Sequence, residues 1–172
     1  EENNSKKSLS LIIYFYYIYI EFKNNKGYYY MTDYKKNDLL MALENESNAS
    51  IMNLNSRKIN KQKNDILQQI IKDRDKLKLF HKKLRYYRYC SELCDLQDGH
   101  YIRWIPLKDP DKINLTLGGF YIDTEFCNGG LQIICKNRRR RIRAKFDEIL
   151  IFQKISNQES VILSVLDYLD KN

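Results

Sequence analysis

The stretch DGHYIRWIPLKDPDKINLTLGGFYID, from Asp98 to Asp123, marks the point where the pattern of the chain changes from helical to extended. Asp98-Gly99 is a turn signal, and HYIRWIPL then alternates between two sets of side chains. One set is Tyr101, Arg103 and Ile105, and the other is Ile102, Trp104 and Pro106. Pro106 has no N–H to donate, so the strand ends there or lies at a sheet edge. After a KDPDK loop, residues 113–126 predict a long strand that bends at Gly118-Gly119.

The remaining C-terminal sequence predicts more strands and one helix. Asn128-Gly129-Gly130 is a turn, residues 131–136 a third strand, and Asn137-Arg138 a second turn. Residues 139–154 supply one long strand or two. Ser156 and Glu159 match a capping box, which begins a helix with an apolar stripe. The predicted fold class is therefore α+β: a small SH3-like or OB-like antiparallel β-barrel over residues 95–172, closed by a C-terminal helix.

The middle of the chain has helical periodicity. Residues 61–94 contain no Pro or Gly, and apolar side chains recur at the a and d positions with Asp73 as the only interruption. These side chains are Ile66, Ile70, Leu77, Phe80, Leu84 and Tyr87. The pattern predicts one long amphipathic helix, and its stripe suggests helix-mediated dimerisation or docking onto another helix.

The positive charge of the protein is concentrated on this segment. Between Ser56 and Arg88 there are 12 Lys and Arg residues against three Asp residues, whereas the whole chain carries a formal net charge of +8. Three interpretations are open: a solvated helix that packs one stripe, a basic arm that binds nucleic-acid phosphates, and an amphipathic helix on an anionic membrane.

The first 60 residues differ from the rest. Residues 1–30 hold half of the tyrosines and precede Met31, so they read as in-frame upstream sequence, as a membrane anchor or signal, or as a β-strand. The apolar run from Leu9 to Phe22 is shorter than the roughly 20 residues that a spanning helix needs. Residues 31–60 predict a short helix that begins at Asn37 or Asp38, followed by a polar linker.

Composition sets broad limits. The chain has 172 residues, 43% of them hydrophobic and 30% charged, which suits one ordinary folded domain or a small domain with appendages. Lys, Asn, Ile, Tyr and Phe are abundant, as AT-rich codons produce. The four cysteines show no secreted disulfide framework, and reduced thiols in an intracellular protein are the default expectation.

A run of cations lies at the second predicted turn. In a strand, Arg139, Arg141, Arg143 and Lys145 share one face, where their mutual repulsion requires either neighbouring carboxylates or a bound anion. Acidic side chains at positions 123, 125, 147 and 148 are candidates for internal balance. Phosphate contact is the second interpretation, with Tyr101, Trp104 or Tyr121 as stacking surfaces, and a localisation signal is the third. Trp104 is expected to lie in the core.

Reactive constellations are weak. Cys90-x3-Cys94 and Cys127-x7-Cys135 do not share zinc-ligand spacing, so buried apolar thiols are expected rather than a metal site with His81 or His100. Asp123, Glu125, Asp147 and Glu148 could form a metal-dependent nuclease cluster, but no Lys or His stands at a supporting spacing. We therefore expect no cofactor and no small-molecule substrate.

Several segments carry a family resemblance. YIRWIPLKDP, LTLGGF, CKN and FDEILIFQK, followed by QESVILSVLDYL, resemble an uncharacterised small protein family of giant viruses, the nucleocytoplasmic large DNA viruses, and related marine metagenomes. The resemblance covers residues 93–171, and the AT-rich composition agrees with it. It implies a location in the host cytoplasm, viral factory or virion, but no activity and no functional residues. The arginine run departs from the family pattern, which has fewer cations and more aromatic residues at that turn.

Together these observations predict a non-enzymatic viral module that binds nucleic acid or a nucleoprotein complex. The alternative is a virion structural or protein–protein interaction protein that uses the helix stripe and the barrel edge. A membrane partner is expected only if residues 1–30 form a genuine anchor. The predicted nucleic-acid contacts are Lys72, Lys76, Lys83, Arg85, Arg88, Arg139, Arg141, Arg143, Lys145 and Tyr101.

Overall fold

The computed structural model describes residues 33–170, so the interpretations of residues 1–30 lie outside the described residues. Four α-helices and six β-strands follow one another, with short 3₁₀ turns between some of them. The helices are α1 (Asp33–Glu44), α2 (Ser56–Ile70), α3 (Arg74–Lys83) and α4 (Asn157–Leu169). The strands are β1 (Tyr87–Cys90), β2 (Tyr101–Pro106), β3 (Gly119–Cys127), β4 (Gly130–Asn137), β5 (Arg140–Lys145) and β6 (Ile149–Lys154). Among these residues, no helix combines the length and apolar character needed to cross a bilayer.

The strands form one antiparallel sheet in the order β1-β6-β2-β3-β4-β5. The α+β class and the C-terminal helix are therefore confirmed. The SH3-like or OB-like barrel is not confirmed, because the sheet does not close: β1 pairs with the side of β6 that closure would require, and β5 is left as an edge. Residues 139–154 form two strands, separated by a 3₁₀ turn at Phe146–Glu148.

The predicted long helix over residues 61–94 is also wrong. Its periodic segment divides at Asp73, whose carboxylate accepts hydrogen bonds from the backbone N–H groups of Asp75 and Lys76 and so begins α3. The segment then ends in β1, where YRYC is rich in residues that favour strands. Two shorter helices can pack an apolar stripe against a sheet as well as one long helix can. A capping residue in the middle of the stripe is therefore tolerated.

The core has three apolar clusters. The first joins α1, α4 and the start of α2 through Ala42, Ile59 and Ile162. The second packs the stripe of α2 and α3, including Leu67 and Phe80, against one face of β1, β6 and β2. The stripe thus packs inside the chain, against the sheet.

The third cluster lies on the opposite face of the sheet and contains Trp104, which is 5% exposed, so its predicted core position is confirmed. Ile151 of β6 and Ile142 of β5 pack in this same cluster, although three strands separate β6 from β5 in the sheet. The sheet must therefore curl strongly, even though it does not close.

Turns separate the C-terminal strands at or next to the predicted positions. Asn128 and Gly129 connect β3 to β4, and Arg138 connects β4 to β5 with a φ of 56°. Gly118 has a φ of 87°, and a Cβ added there would clash with the carbonyl oxygen of Ile102. The strand predicted over residues 113–126 begins only at Gly119, because the positive φ of Gly118 interrupts the extended backbone. Before it, the Thr116 N–H still donates to the carbonyl oxygen of Trp104 in β2, outside the regular strand pairing.

A buried ion pair connects the helical and sheet parts. Arg88 of β1 and Glu159 of α4 are 1% and 0% exposed, and Arg88 Nε donates to Glu159 Oε1 at 3.0 Å. Arg88 Nη2 also donates to the carbonyl oxygen of Asp95 at 2.7 Å and to Ser50 Oγ at 3.2 Å. The other oxygen of Glu159 accepts from the backbone N–H of Ser156, which confirms the predicted capping box. Arg88 therefore cannot contact phosphate, and its assignment to the nucleic-acid site is wrong.

We expect Glu159→Gln and Arg88→Met each to lower the free energy of unfolding by about 3–5 kcal/mol, because each leaves one buried charge uncompensated. The double variant should cost less than the sum of the two. Urea denaturation measures both effects. Arg143→Gln, which breaks an exposed ion pair with Glu125, should cost about 1 kcal/mol or less. Equal losses in the buried and exposed pairs would contradict this account.

Gly118→Ala and Gly99→Ala form a matched pair, because both glycines have positive φ but only Gly118 faces backbone at close range. Gly99→Ala should lower the free energy of unfolding by about 1–2 kcal/mol, from backbone strain alone. Gly118→Ala should lower it by about 2–5 kcal/mol, because a steric clash adds to that strain. Urea denaturation of the two variants gives the comparison, and similar losses would show that the approach to Ile102 is not tight.

Candidate nucleic-acid interface

One line of side chains runs across all six strands on a single face of the sheet. Tyr87 of β1 pairs with Lys154 of β6. On the other side of β6, Ile102 of β2 pairs with Gln153, so this antiparallel register places the preceding residue, Tyr101, level with Lys154. Tyr101 pairs in turn with Phe120, Phe120 with Lys136, and Lys136 with Arg141. We name this line the cross-strand row; its members are Tyr87, Lys154, Tyr101, Phe120, Lys136 and Arg141.

Strand alternation decides which face carries the row. In β2, Ile102 and Trp104 belong to the core cluster on one face, so Tyr101 and Arg103 lie on the other face with Ile105. Helices α2 and α3 cover that second face over β1, β6 and part of β2. Among the described residues, these two helices form no apolar cluster with β3, β4 or β5, so the row continues beyond the part of the sheet on which they pack. Ile134 of β4, on the same face, is nevertheless buried.

The centre of the row is aromatic and held in place. The rings of Tyr101 and Phe120 meet edge to face, with centroids 5.1 Å apart, and Phe120 is 53% exposed. The hydroxyl of Tyr101 donates to the carbonyl oxygen of Leu117 at 2.9 Å, which fixes the ring orientation. Leu117 itself is 82% exposed beside it. Exposed rings of this kind offer stacking surface to a planar ligand.

The cations of β5 divide into two groups. Arg143 forms an ion pair with Glu125 at 3.2 Å, and Lys145 forms one with Glu148 at 3.1 Å, as the balancing interpretation predicts. Lys136 and the exposed arginines at positions 138–141 have no ion pair with any described residue. The unbalanced positive charge therefore lies at the β4–β5 turn and at the β5 end of the row.

The predicted helical cations, apart from Arg88, remain at the surface. Lys72, Lys83 and Arg85 are exposed and Lys76 is half-buried, and none has an ion pair with a described residue. The guanidinium of Arg85 lies 5.3 Å from the ring centroid of Tyr86, next to the β1 end of the row. Arg85 and Lys83 thus lie close along the chain to Tyr87, whereas Lys72 and Lys76 lie at the far end of α3.

The row was missed in part by sequence reasoning. Tyr101 and Arg141 were predicted as contacts, but Tyr87 was assigned to a helix and Phe120, Lys136 and Lys154 were not selected. Their alternation within each strand is visible in the sequence. The register that aligns them is not, because it depends on the bulge between Tyr121 and Asp123 and on strands that are distant along the chain.

Cysteines and carboxylates do not gather into a reactive centre among residues 33–170, where no group of three potential metal ligands occurs. Burial raises the pKa of Cys90 and of Cys135 to about 12 in each case, so both are buried thiols as expected. Cys94 and Cys127 are exposed, and the expectation of buried thiols is wrong for them.

A buried lysine was not anticipated. Lys63 is 3% exposed, and its Nζ donates to the carbonyl oxygens of Leu84 and Tyr87, at 2.9 and 3.1 Å, where α3 ends and β1 begins. Burial lowers the pKa of Lys63. The pKa of His81 is also lowered, first by burial and then by the charge of Lys63. Lys63 and His81 connect α2, α3 and β1 structurally, and neither side chain lies in the cross-strand row.

Comparison with known proteins gives no relative: no family model, no curated protein and no solved structure matches the chain. Function must therefore be inferred from the row, its exposure and its charge.

We expect the free energy of unfolding to fall as pH falls through 6.5, the ordinary pKa of histidine. His81 binds its proton less tightly in the folded chain, so protonation favours the unfolded chain. His81→Gln should reduce this pH dependence, measured by urea denaturation at a series of pH values. Lys82→Gln, at an exposed neighbouring position, should leave it unchanged. A pH dependence that persists in the His81 variant would refute the assignment.

Proposed function

We propose that this protein is a non-enzymatic nucleic-acid-binding module whose contact surface is the cross-strand row. One observation carries the proposal: Lys136 and Arg141, both exposed and without an ion pair among the described residues, continue in register from the ring pair of half-buried Tyr101 and exposed Phe120. Free cations attract phosphates, and aromatic faces accept bases.

Further cations extend the positive surface at both ends of the row. At the β5 end, Arg138, Arg139 and Arg140 form the turn and the start of the edge strand, and all three are exposed. At the β1 end, Arg85 and Lys83 precede Tyr87. A ligand that carries repeated negative charge could contact both ends at once, whereas a single small anion could not.

We infer for β2–β6 an opened variant of the SH3-like unit that the sequence suggested. In support, β3, β4 and β5 are joined by two-residue turns, and the 3₁₀ turn at Phe146–Glu148 then returns the chain so that β6 pairs with β2. Phe146 packs in the same cluster as Trp104. The addition of β1 outside β6 distinguishes this chain from a closed barrel.

A viral origin, with action in the host cytoplasm, viral factory or virion, remains a proposal that rests on the resemblance of the quoted segments alone. A structural or protein-interaction role is the second candidate, and exposed apolar side chains favour it. Phe126, at the end of β3, is 85% exposed, and Leu117 is 82% exposed. Salt dependence separates the two, because phosphate contacts weaken as salt rises and an apolar interface does not.

Arg141→Gln and Arg143→Gln provide a matched test, since they remove the same charge from the same strand and face, but only Arg143 is paired with an acid. Fluorescence anisotropy with labelled DNA and RNA, single-stranded and duplex, should show binding at low salt. Arg141→Gln should reduce the slope of log K against log salt by about 0.7–0.9, which corresponds to one lost phosphate contact. Arg143→Gln should leave the slope unchanged.

Two results would count against the proposal. If no DNA or RNA binds at low salt, the chain is not a nucleic-acid-binding module and the protein-interaction role takes its place. If the two variants lose affinity equally, general charge accounts for binding and the row is not the contact surface. Circular dichroism of both variants serves as the check that each remains folded.

A further inference from the structure

Aromatic rings and cations follow one another in a definite order along the cross-strand row. Reading from β1 to β5, an aromatic ring and a cation come first, two aromatic rings occupy the centre, and two cations follow. Neighbouring strands lie about 4.8 Å apart, so the six positions span about 24 Å. That length exceeds a mononucleotide and suits a chain of several nucleotides.

Charge on the rest of this face restricts the path of a polyanion. On β3, the positions that follow Phe120 towards the hairpin tip include Asp123 and Glu125, and Asp123 lies level with Ile134 and Arg143. A polyanion that ran parallel to β3 would meet these carboxylates, one of which already neutralises Arg143. Among the described residues of the row, a polyanion that crossed the strands would meet aromatic and cationic side chains and no carboxylate.

The loop that precedes β3 is also fixed in place beside the row. Asn137 Nδ2 donates to the carbonyl oxygen of Gly118 at 2.6 Å, and the Tyr101 hydroxyl donates to the carbonyl oxygen of Leu117. These two bonds join the loop before β3 to both β2 and the β4–β5 turn. The ring of Tyr101 and the arginine turn are therefore held at set positions before any ligand arrives, which lowers the ordering cost of binding.

From these observations, and resting on the nucleic-acid function proposed above, we propose that the row binds one single strand that crosses the sheet perpendicular to the β-strands. Bases stack on Tyr101 and Phe120, while phosphates contact Lys136 and Arg141 on one side and Lys154 on the other. Duplex nucleic acid is a poorer ligand, because its bases are stacked on each other and cannot present their faces to the exposed rings.

The test uses the full chain and four probes of defined chemistry: oligothymidylates of increasing length, a DNA duplex, an RNA duplex and inorganic polyphosphate. Phe120→Leu removes the central ring but keeps an apolar side chain. Phe126→Leu makes the same change at a more exposed position on the same strand, near the hairpin tip and outside the row. Affinity is measured by anisotropy or by competition against a labelled oligothymidylate.

We expect the oligothymidylates to bind more tightly than duplexes, or than polyphosphate of equal charge, with affinity rising with length and then levelling once the row is filled. Phe120→Leu should weaken oligothymidylate binding by about fivefold or more and leave polyphosphate binding unchanged. Phe126→Leu should change neither. A larger gain in thermal stability of the wild-type chain with oligothymidylate than with polyphosphate of equal charge supports the same conclusion independently.

Failure of this inference is distinguishable from failure of the proposed function. If duplexes bind as tightly as single strands, or if Phe120→Leu and Phe126→Leu behave alike, the single-strand inference falls and the nucleic-acid function remains. Equal affinity for polyphosphate and oligothymidylate means that binding depends on charge alone. This result also overturns the stacking of bases on the two rings. If no nucleic acid binds at any length at low salt, both proposals fall.

Discussion

The buried ion pair between Arg88 and Glu159 is the constraint on which the rest of the arrangement depends. Two charges removed from water must be fully paired, and Arg88 satisfies its guanidinium with Glu159, Ser50 and the carbonyl oxygen of Asp95. These partners belong to α4, to the 3₁₀ turn after α1, and to the loop before β2. One side chain therefore requires β1, the N-terminal helices and the C-terminal helix to adopt a single relative position.

The placement of β1 has a direct consequence for function. Because Arg88 points towards α4, Tyr87 and Tyr89 on either side of it point to the opposite face, where α2 and α3 pack. That orientation makes Tyr87 the first position of the cross-strand row. A row that crosses six strands thus begins at a strand whose orientation is set by a buried charge. It ends on the edge strand at Arg141, which has no ion pair with any described residue.

Local sequence was enough for features that depend on neighbouring residues. The turn at Asn128-Gly129, the capping box at Ser156 and Glu159, and the core position of Trp104 follow from turn propensity, hydrogen-bonding capacity and strand alternation. The second turn, predicted at Asn137-Arg138, lies one residue later, at positions 138–139. The distinction between inward and outward sides of β5 was also predictable, since Ile142 and Ala144 are half-buried and Arg141 and Arg143 are exposed.

The sequence by itself determined the turns between the C-terminal strands to within one residue, the start of the C-terminal helix, the antiparallel character of residues 101–154 and the identity of the cations on β5. Only the tertiary structure decided that residues 87–90 form a strand, that Arg88 is buried in an ion pair whereas Arg141 has none with a described residue, and that Phe120 and Lys136 stand in line with Tyr101. The physical reason is the distance along the chain between the residues that interact. Turns and caps depend on energies within a few residues, whereas register, burial of charge and sheet curvature depend on contacts between segments far apart in the chain.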